Sequence, residues 1–351
     1  MPLRSEGFLN FFSRRVGESK VIMISKLKKS LAGQPAFRYK QVDEAVFKQL
    51  VSTWDEASNL PKDLIQKLNK EFPLEIKAKL HEDSDVLKAV IELEDGVCIE
   101  TVLMRYSHRN TVCLSVQAGC PLGCHFCATG QGGFKRDLTV WEIILQALYF
   151  GRILKEKGER IDNVVFMGMG EPFLNTDNVL EAVKILNAKE GLEIAARSIS
   201  ISTVGITEGI KKLADFPLQI NLAVSLHAPN DKLRLQLMPI AKKYSIAKIF
   251  KAMEGYIFKT NRKVMIEYIM IDNLNDHIKM AKELAVIIKA MQKPLVMVNL
   301  IPYNETDKFQ PSSLERIEGF RNVLLKSGID CIMRKSFGKS ISGACGQLAG
   351  R

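Results

Sequence analysis

From Thr111 onward the chain repeats one unit six times, a β-rich run followed by a helical one. The β-rich runs are TVCLSVQ (111–117), NVVFMG (163–168), SISIST (198–203), INLAVSL (220–226), VMIEYIM (264–270) and LVMVNLI (295–301). Between them lie amphipathic stretches such as TVWEIILQALYFGRIL, NVLEAVKILNA and HIKMAKELAVIIKAM. Thr139 and Glu142 have capping-box spacing at the start of the first helix. Strands alternating with helices at this rhythm build βαβ units and a parallel sheet. Six units fall short of a closed (β/α)8 barrel. The expected fold is therefore α/β, a partial (β/α)6 barrel, with CIMRKSF (331–337) as an extra strand.

The first third reads differently. FRYKQVDEAVFKQL and LPKDLIQKLNKEF, within residues 37–73, carry apolar residues at helical spacing, and Pro61 suits a helix start. Residues 74–107 hold EIKAKL, VLKAVIEL and CIETVLM, split by HEDSD and EDG, as in a small antiparallel sheet. The expected organisation is an N-terminal helical domain (1–73), an antiparallel β linker (74–110) and a barrel core (111–351).

Charge points to a partner. The 351 residues carry a formal +11, and residues 1–40 hold nine Lys/Arg against only Glu6 and Glu18. Residues 331–351 add Arg334, Lys335, Lys339 and Arg351 with no acid. Two basic ends suit a phosphate-rich ligand, although solvated lysines would give the same count. Hydrophobic residues at 46% and charged ones at 25% exclude a disordered or fibrous chain. VIMI (21–24) is far too short for a membrane span, and no apolar core of a secretory signal precedes it. Glu6 and Glu18 count against an organelle-targeting leader. The expectation is a soluble, cytoplasmic protein, monomeric because no coiled-coil repeat is present.

In parallel α/β folds the working residues follow the C-terminal ends of the strands. Those positions hold Cys120, Cys124 and Cys127, then Gly168 to Pro172, Ser202 and Thr203, Ser225 and His227, and Asn304. Cys120-Pro-Leu-Gly-Cys124-His-Phe-Cys127 is a C-x3-C-x2-C run of soft thiolate ligands. Three close thiolates without a fourth suit a [4Fe-4S] cluster with one iron open to an outside ligand, whereas structural zinc wants a closed set of four. His125 adjoins Cys124 and is poorly placed to share its ion. Cys345, between Ala344 and Gly346, has little to pack against and small neighbours that admit a bulky substrate. Cys113 alternates inward on the first strand, Cys98 and Cys331 read as core, and Glu100 reads as a solvated strand residue.

CLSVQAGCPLGCHFCATG, FMGMGEPFLN, SISTVGI, SLHAPND, NLIPYN and ACGQLAG together resemble the RlmN/Cfr family of radical S-adenosylmethionine (SAM) methyltransferases, from about Phe37 to Gly350. That family modifies one adenine in 23S rRNA. GEP (170–172), SLHAPND (225–231) and GQLAG (346–350) are similar to the branch that methylates C2 and also acts on some tRNAs, rather than the C8-methylating, antibiotic-resistance branch. The resemblance implies a cluster on Cys120, Cys124 and Cys127, and SAM held by Gly170, Glu171, Ser202, Ser225, Leu226, His227 and Asn304. It implies that Cys345 carries the methyl group, that the derived radical adds to the ring as a protein–RNA adduct, and that Cys113 resolves the adduct through a transient disulfide. Glu100 matches the family's proton acceptor. Flavodoxin or ferredoxin is the implied electron donor, and the basic N-terminal domain the implied grip on RNA. The chain departs from the family where Ser342-Gly343-Ala344 replaces an acidic D-A-A, where it lacks a basic tail beyond Arg351, and over residues 1–30. A zinc-stabilised RNA-binding protein is the non-enzymatic alternative, separable by iron and sulfide content. A radical enzyme with a small-molecule substrate would leave Cys113 and Cys345 without roles.

Overall fold

The computed structural model describes residues 25–306, 308–334, 338 and 340–350. Arg4, Arg14, Arg15, Lys20, Lys335, Lys339 and Arg351 of the two basic ends lie outside the described residues, as does the VIMI run. Three helices come first: α1 (Ser25–Ser30), α2 (Ala36–Asp43) and α3 (Lys62–Glu71). Pro61 precedes the first turn of α3, where its fixed φ costs nothing.

Four strands follow, β1 (Ala78–Asp83), β2 (Val86–Glu92), β3 (Cys98–Tyr106) and β4 (Arg109–Cys113), each antiparallel to the next. β1 runs through His81, Glu82 and Asp83, which the sequence reading took as a break. As the edge strand its side chains stay largely in water, so charges are tolerated there; the turn sits at Ser84, with φ 39°.

β4 opens the parallel part. Next come β5 (Gln117–Gly119), α4 (Ala128–Gln131), β6 (Phe134–Asp137), α5 (Val140–Lys155), β7 (Asn163–Phe166) and α6 (Thr176–Asn187). The chain continues through β8 (Ile199–Thr203), α7 (Thr207–Ala214), β9 (Asn221–Ser225), α8 (Asp231–Leu237), α9 (Ile246–Thr260) and β10 (Val264–Met270). It ends on α10 (Ile278–Lys289), β11 (Val296–Pro302), α11 (Leu314–Lys326) and β12 (Asp330–Met333). One ten-stranded sheet runs β1-β2-β3-β4-β7-β8-β9-β10-β11-β12, parallel from β4 onward, with β5 and β6 as a separate ribbon. This is the partial barrel expected, and the antiparallel strands continue its sheet. Residues 335–337 of the extra strand candidate lie outside the described residues.

The first strand candidate, 111–117, is broken in the structure. The buried Gln146 amide of α5 accepts from Ser115 N–H at 2.8 Å and donates to Ser115 C=O at 2.9 Å, taking both ladder groups at once. The ladder stops at Cys113 and Gln117 pairs instead with Asp137. The N-terminal helices dock on α5: Phe72 stacks at 4.7 Å from Trp141, and Arg152 donates to the carbonyls of Leu74 and Val51 at 3.1 and 2.8 Å. Thr139 and Glu142 form the capping box that starts α5. Among the described residues no helix is long and apolar enough to cross a membrane.

Candidate active site

The C-terminal strand ends converge on two adjoining cavities that share Cys127, Thr129, Met167, Gly168, Arg334 and Cys345 in their walls. The loop after β5 carries the three clustered cysteines, and all three line one cavity. Gly119 (φ 78°) makes the loop possible, since a Cβ there would lie 2.0 Å from the Gly133 carbonyl oxygen. Burial pushes the Cys120 thiol up to about 12 and the Cys124 thiol higher still, so a metal must displace their protons. His125 is exposed, with Nδ1 2.7 Å from the Gln236 carbonyl, and does not line the cavity. Among the described residues no three metal-binding side chains converge as a single ion requires. Cysteines set around one cavity, each able to bind its own iron, fit a four-iron cluster.

Opposite this loop lies Glu171, after β7. Gly170 (φ 97°) leaves no room for a side chain, because a Cβ would sit 2.5 Å from Gln117 Cβ. Glu171 is buried and accepts from Phe173 N–H at 3.0 Å and Val204 N–H at 2.8 Å. Burial raises its carboxyl to about 7 against those donors. Ser202 and Ser225 line the same cavity with their hydroxyl oxygens 3.3 Å apart. His227, at a left-handed φ of 60°, is buried, accepts from Ile269 N–H through Nδ1 at 3.1 Å and stands edge-on to Phe126. Burial, with Arg234 adding, lowers it to about 3, so the ring is neutral and Nε2 carries the proton. Arg234 donates to the carbonyls of Leu226, Tyr244 and Val204, tying the segments after β8 and β9 to the turn before α9.

The second cavity brings together two further cysteines. Cys113, at the end of β4, and Cys345, 232 residues later, line it together. All seven cysteines are free thiols. Burial first, then Cys345, pushes Cys113 up to about 12, while Arg334 acts the other way. Asn304 Nδ2 donates to the Cys345 carbonyl at 3.1 Å, leaving its own buried Oδ1 without a partner.

Two predicted residues lie elsewhere. Leu226 is fully buried and lines neither cavity; it offers its carbonyl to Arg234. Glu100 also lines neither and is not solvated: it is 2% exposed, paired with Lys88 Nζ at 3.2 Å, and accepts from Ala349 N–H at 2.7 Å. An ionised carboxylate survives such burial only with partners of this kind. Cys331 is core as expected, but Cys98 is half-buried at the start of β3. Missed by the sequence reading were Lys88, Glu267 and Arg334, polar residues inside otherwise apolar strand runs or at their ends. Arg334 lines both cavities and is held above its ordinary range chiefly by Cys345, with Glu267 adding to this.

A sequence profile of the Radical SAM superfamily matches residues 114–285. A dual-specificity RNA methyltransferase RlmN of Dictyoglomus thermophilum is 44% identical over 320 residues, spanning 90% of this chain and 91% of its own. Its counterpart in Caldicellulosiruptor saccharolyticus is 44% identical over 323 residues, 91% and 92% of the two chains. The chain belongs to the RlmN family. A radical SAM methyltransferase from Sphaerobacter thermophilus has the same fold as this RlmN-family chain, with a TM-score of 0.90 at 39% identity over 95% of this chain and 99% of that one. Membership makes the protein a radical SAM methyltransferase, with a [4Fe-4S] cluster and SAM as its cofactors.

Proposed function

We propose that the protein methylates C2 of one adenine in 23S rRNA, and of an adenine in tRNA, in the cytoplasm. The observation that carries this reading is the juxtaposition of Cys345 and Cys113 in a cavity whose wall includes Cys127 of the clustered cysteines. An aromatic C2 between two ring nitrogens is electron-poor, so it is no nucleophile for polar methyl transfer, whereas a carbon radical can add to it directly. Cys120, Cys124 and Cys127 would hold the cluster, which when bound supplies the electron that cleaves SAM to a 5′-deoxyadenosyl radical. Gly170, Glu171, Ser202, Ser225, His227 and Asn304 orient the cofactor.

Cys345 takes a methyl group from one SAM, releasing S-adenosylhomocysteine. Loss of a hydrogen atom from that S-methyl group to the 5′-deoxyadenosyl radical leaves a methylene radical, which adds to C2 of an adenine that must leave its stack to reach the strand ends. Once the adduct has given up its ring proton to Glu100 and its unpaired electron, which would return to the cluster, the Cys113 thiolate attacks the Cys345 sulfur. The S–C bond breaks, the departing methylene carbon takes up a proton to become the methyl group, and a disulfide is left for an external thiol to reduce. Glu100 serves as proton acceptor once the Ala349 N–H leaves its Oε2. The N-terminal helices and their lysines contact the RNA backbone, and flavodoxin or ferredoxin delivers the electron.

The test is anaerobic cluster reconstitution, incubation with SAM, reductant and either a 23S rRNA fragment or tRNA, then mass spectrometry of the nucleosides. We expect 2-methyladenosine that disappears in Cys345→Ala. An 8-methyladenosine product would overturn the C2 assignment, and SAM cleavage with no methylated adenosine would overturn the RNA assignment.

A further inference from the structure

Glu267 sits inside β10, where every neighbour is apolar in sequence, yet it belongs to a polar row across the sheet. Register pairs Ser225 of β9 with Glu267, and Glu267 with Asn299 of β11; Ser202 of β8 joins through Ser225. Glu267 is 2% exposed and lines the cofactor cavity together with Ser202 and Ser225. Asn299 Nδ2 donates to Oε1 at 3.0 Å, whereas Oε2 is buried without any partner. A buried carboxylate oxygen left unpaired is costly, and sites built to bind hydroxyls look like this before the ligand arrives. The row offers a carboxyl acceptor between Ser225 and Asn299, with the Ser202 hydroxyl beyond Ser225, a set that matches a sugar hydroxyl.

We infer that Glu267 is a ribose-binding residue, its free Oε2 accepting a hydroxyl from a nucleoside seated in this cavity. The inference rests on the proposed function, under which two nucleosides enter here: the SAM ribose with a 2′,3′-diol, and the target adenosine with a 2′-hydroxyl. Both present the same chemistry, and the experiment separates them.

The reconstituted protein is titrated calorimetrically with S-adenosylhomocysteine and its 2′-deoxy and 3′-deoxy analogues, and with an RNA hairpin carrying either adenosine or 2′-deoxyadenosine at the target. In the wild type, removing the contacted hydroxyl is expected to weaken binding about ten- to a hundredfold in one arm, as for a hydrogen bond to a charged acceptor. That arm identifies the source. In Glu267→Ala the parent ligand weakens similarly, and removing the hydroxyl has no further effect. Glu267→Gln keeps the shape and a neutral acceptor and shows a few-fold hydroxyl effect, which covers the case where the alanine variant fails to fold. A merely structural role would weaken all ligands alike and leave the hydroxyl effect intact in both variants, which would overturn the inference. So would a wild type indifferent to every hydroxyl. Neither result touches the methylation reading, which fails separately if wild-type protein binds neither S-adenosylhomocysteine nor the RNA.

Discussion

The cysteine loop and the strap that carries Cys345 both line the cofactor cavity but are held by different means. The loop is fixed by its own backbone: Cys120 N–H donates to Gly133 C=O at 2.8 Å, Cys127 N–H to Cys124 C=O at 3.1 Å, and His125 N–H to Leu237 C=O at 2.9 Å. The strap, residues 344–350, has one local bond of this kind, Gln347 N–H to Ala344 C=O at 3.0 Å, and one that ties it to another segment, Ala128 N–H to Gly346 C=O at 2.8 Å. Otherwise it hangs from side chains: Asn304 on the Cys345 carbonyl, Thr129 on the Leu348 carbonyl at 2.6 Å, and Glu100 on the Ala349 N–H. A backbone-knitted loop yields only to a change of chain geometry. A strap on side-chain hooks can be loosened one residue at a time, which suits the two encounters proposed above for Cys345.

Substitutions on the two sides should therefore fail differently. The largest effect is expected from Cys124→Ala, which removes a cluster ligand: iron content and 5′-deoxyadenosine formation should both collapse. Cys345→Ala should keep both and lose only methylated adenosine. If Cys345→Ala also lost its iron, the two sides would not be independent.

Next comes the strap's charged hook. Glu100→Gln leaves Lys88 buried without its counter-ion and should cost about 3–5 kcal/mol in urea unfolding. The Lys88→Met/Glu100→Gln double variant should recover much of that loss. Additive losses would mean the pair is not coupled.

In the cavity that the loop lines, Glu171 should give the cluster-free protein a pH dependence. Its folded carboxyl keeps a proton up to about 7, while an unfolded glutamate releases it near 4.5. The folded state thus binds more protons between those values, and stability falls as pH rises through them, by at most about 3 kcal/mol. Glu171→Gln, which cannot ionise, should flatten that slope between pH 5 and 7. The smallest effect is expected from Thr129→Val, which removes one neutral hook: about 1 kcal/mol, seen as faster amide exchange in residues 346–350 with little change elsewhere.

Much of this was open to sequence reasoning, for identifiable reasons. Strands buried on both faces, such as β9 and β11, read as apolar runs, and the cluster cysteines fall within eight consecutive residues. Strand ends gave the position of Ser225, His227 and Asn304. β1 was misread because an edge strand needs no apolar alternation. The break at Ser115 was hidden because its cause, Gln146, lies 31 residues away. Glu267 and Lys88 were hidden because one charged residue in an apolar run says nothing of its partners. Only register sets Glu267 beside Ser225 and Asn299, and only the strand pairing of β2 with β3 brings Lys88 to Glu100. Leu226 was carried over with its motif, yet its side chain serves the core.

The place of the strap in the chain has a consequence for biosynthesis. Every strand of the sheet and the whole cysteine loop precede Cys345, and domains fold from the N-terminal side as they are made. A growing chain can therefore complete its barrel while that wall of the cavity is still missing. Iron, sulfide and SAM have their widest entrance at that stage, and the cysteine proposed to react with SAM arrives only after the mouth has formed.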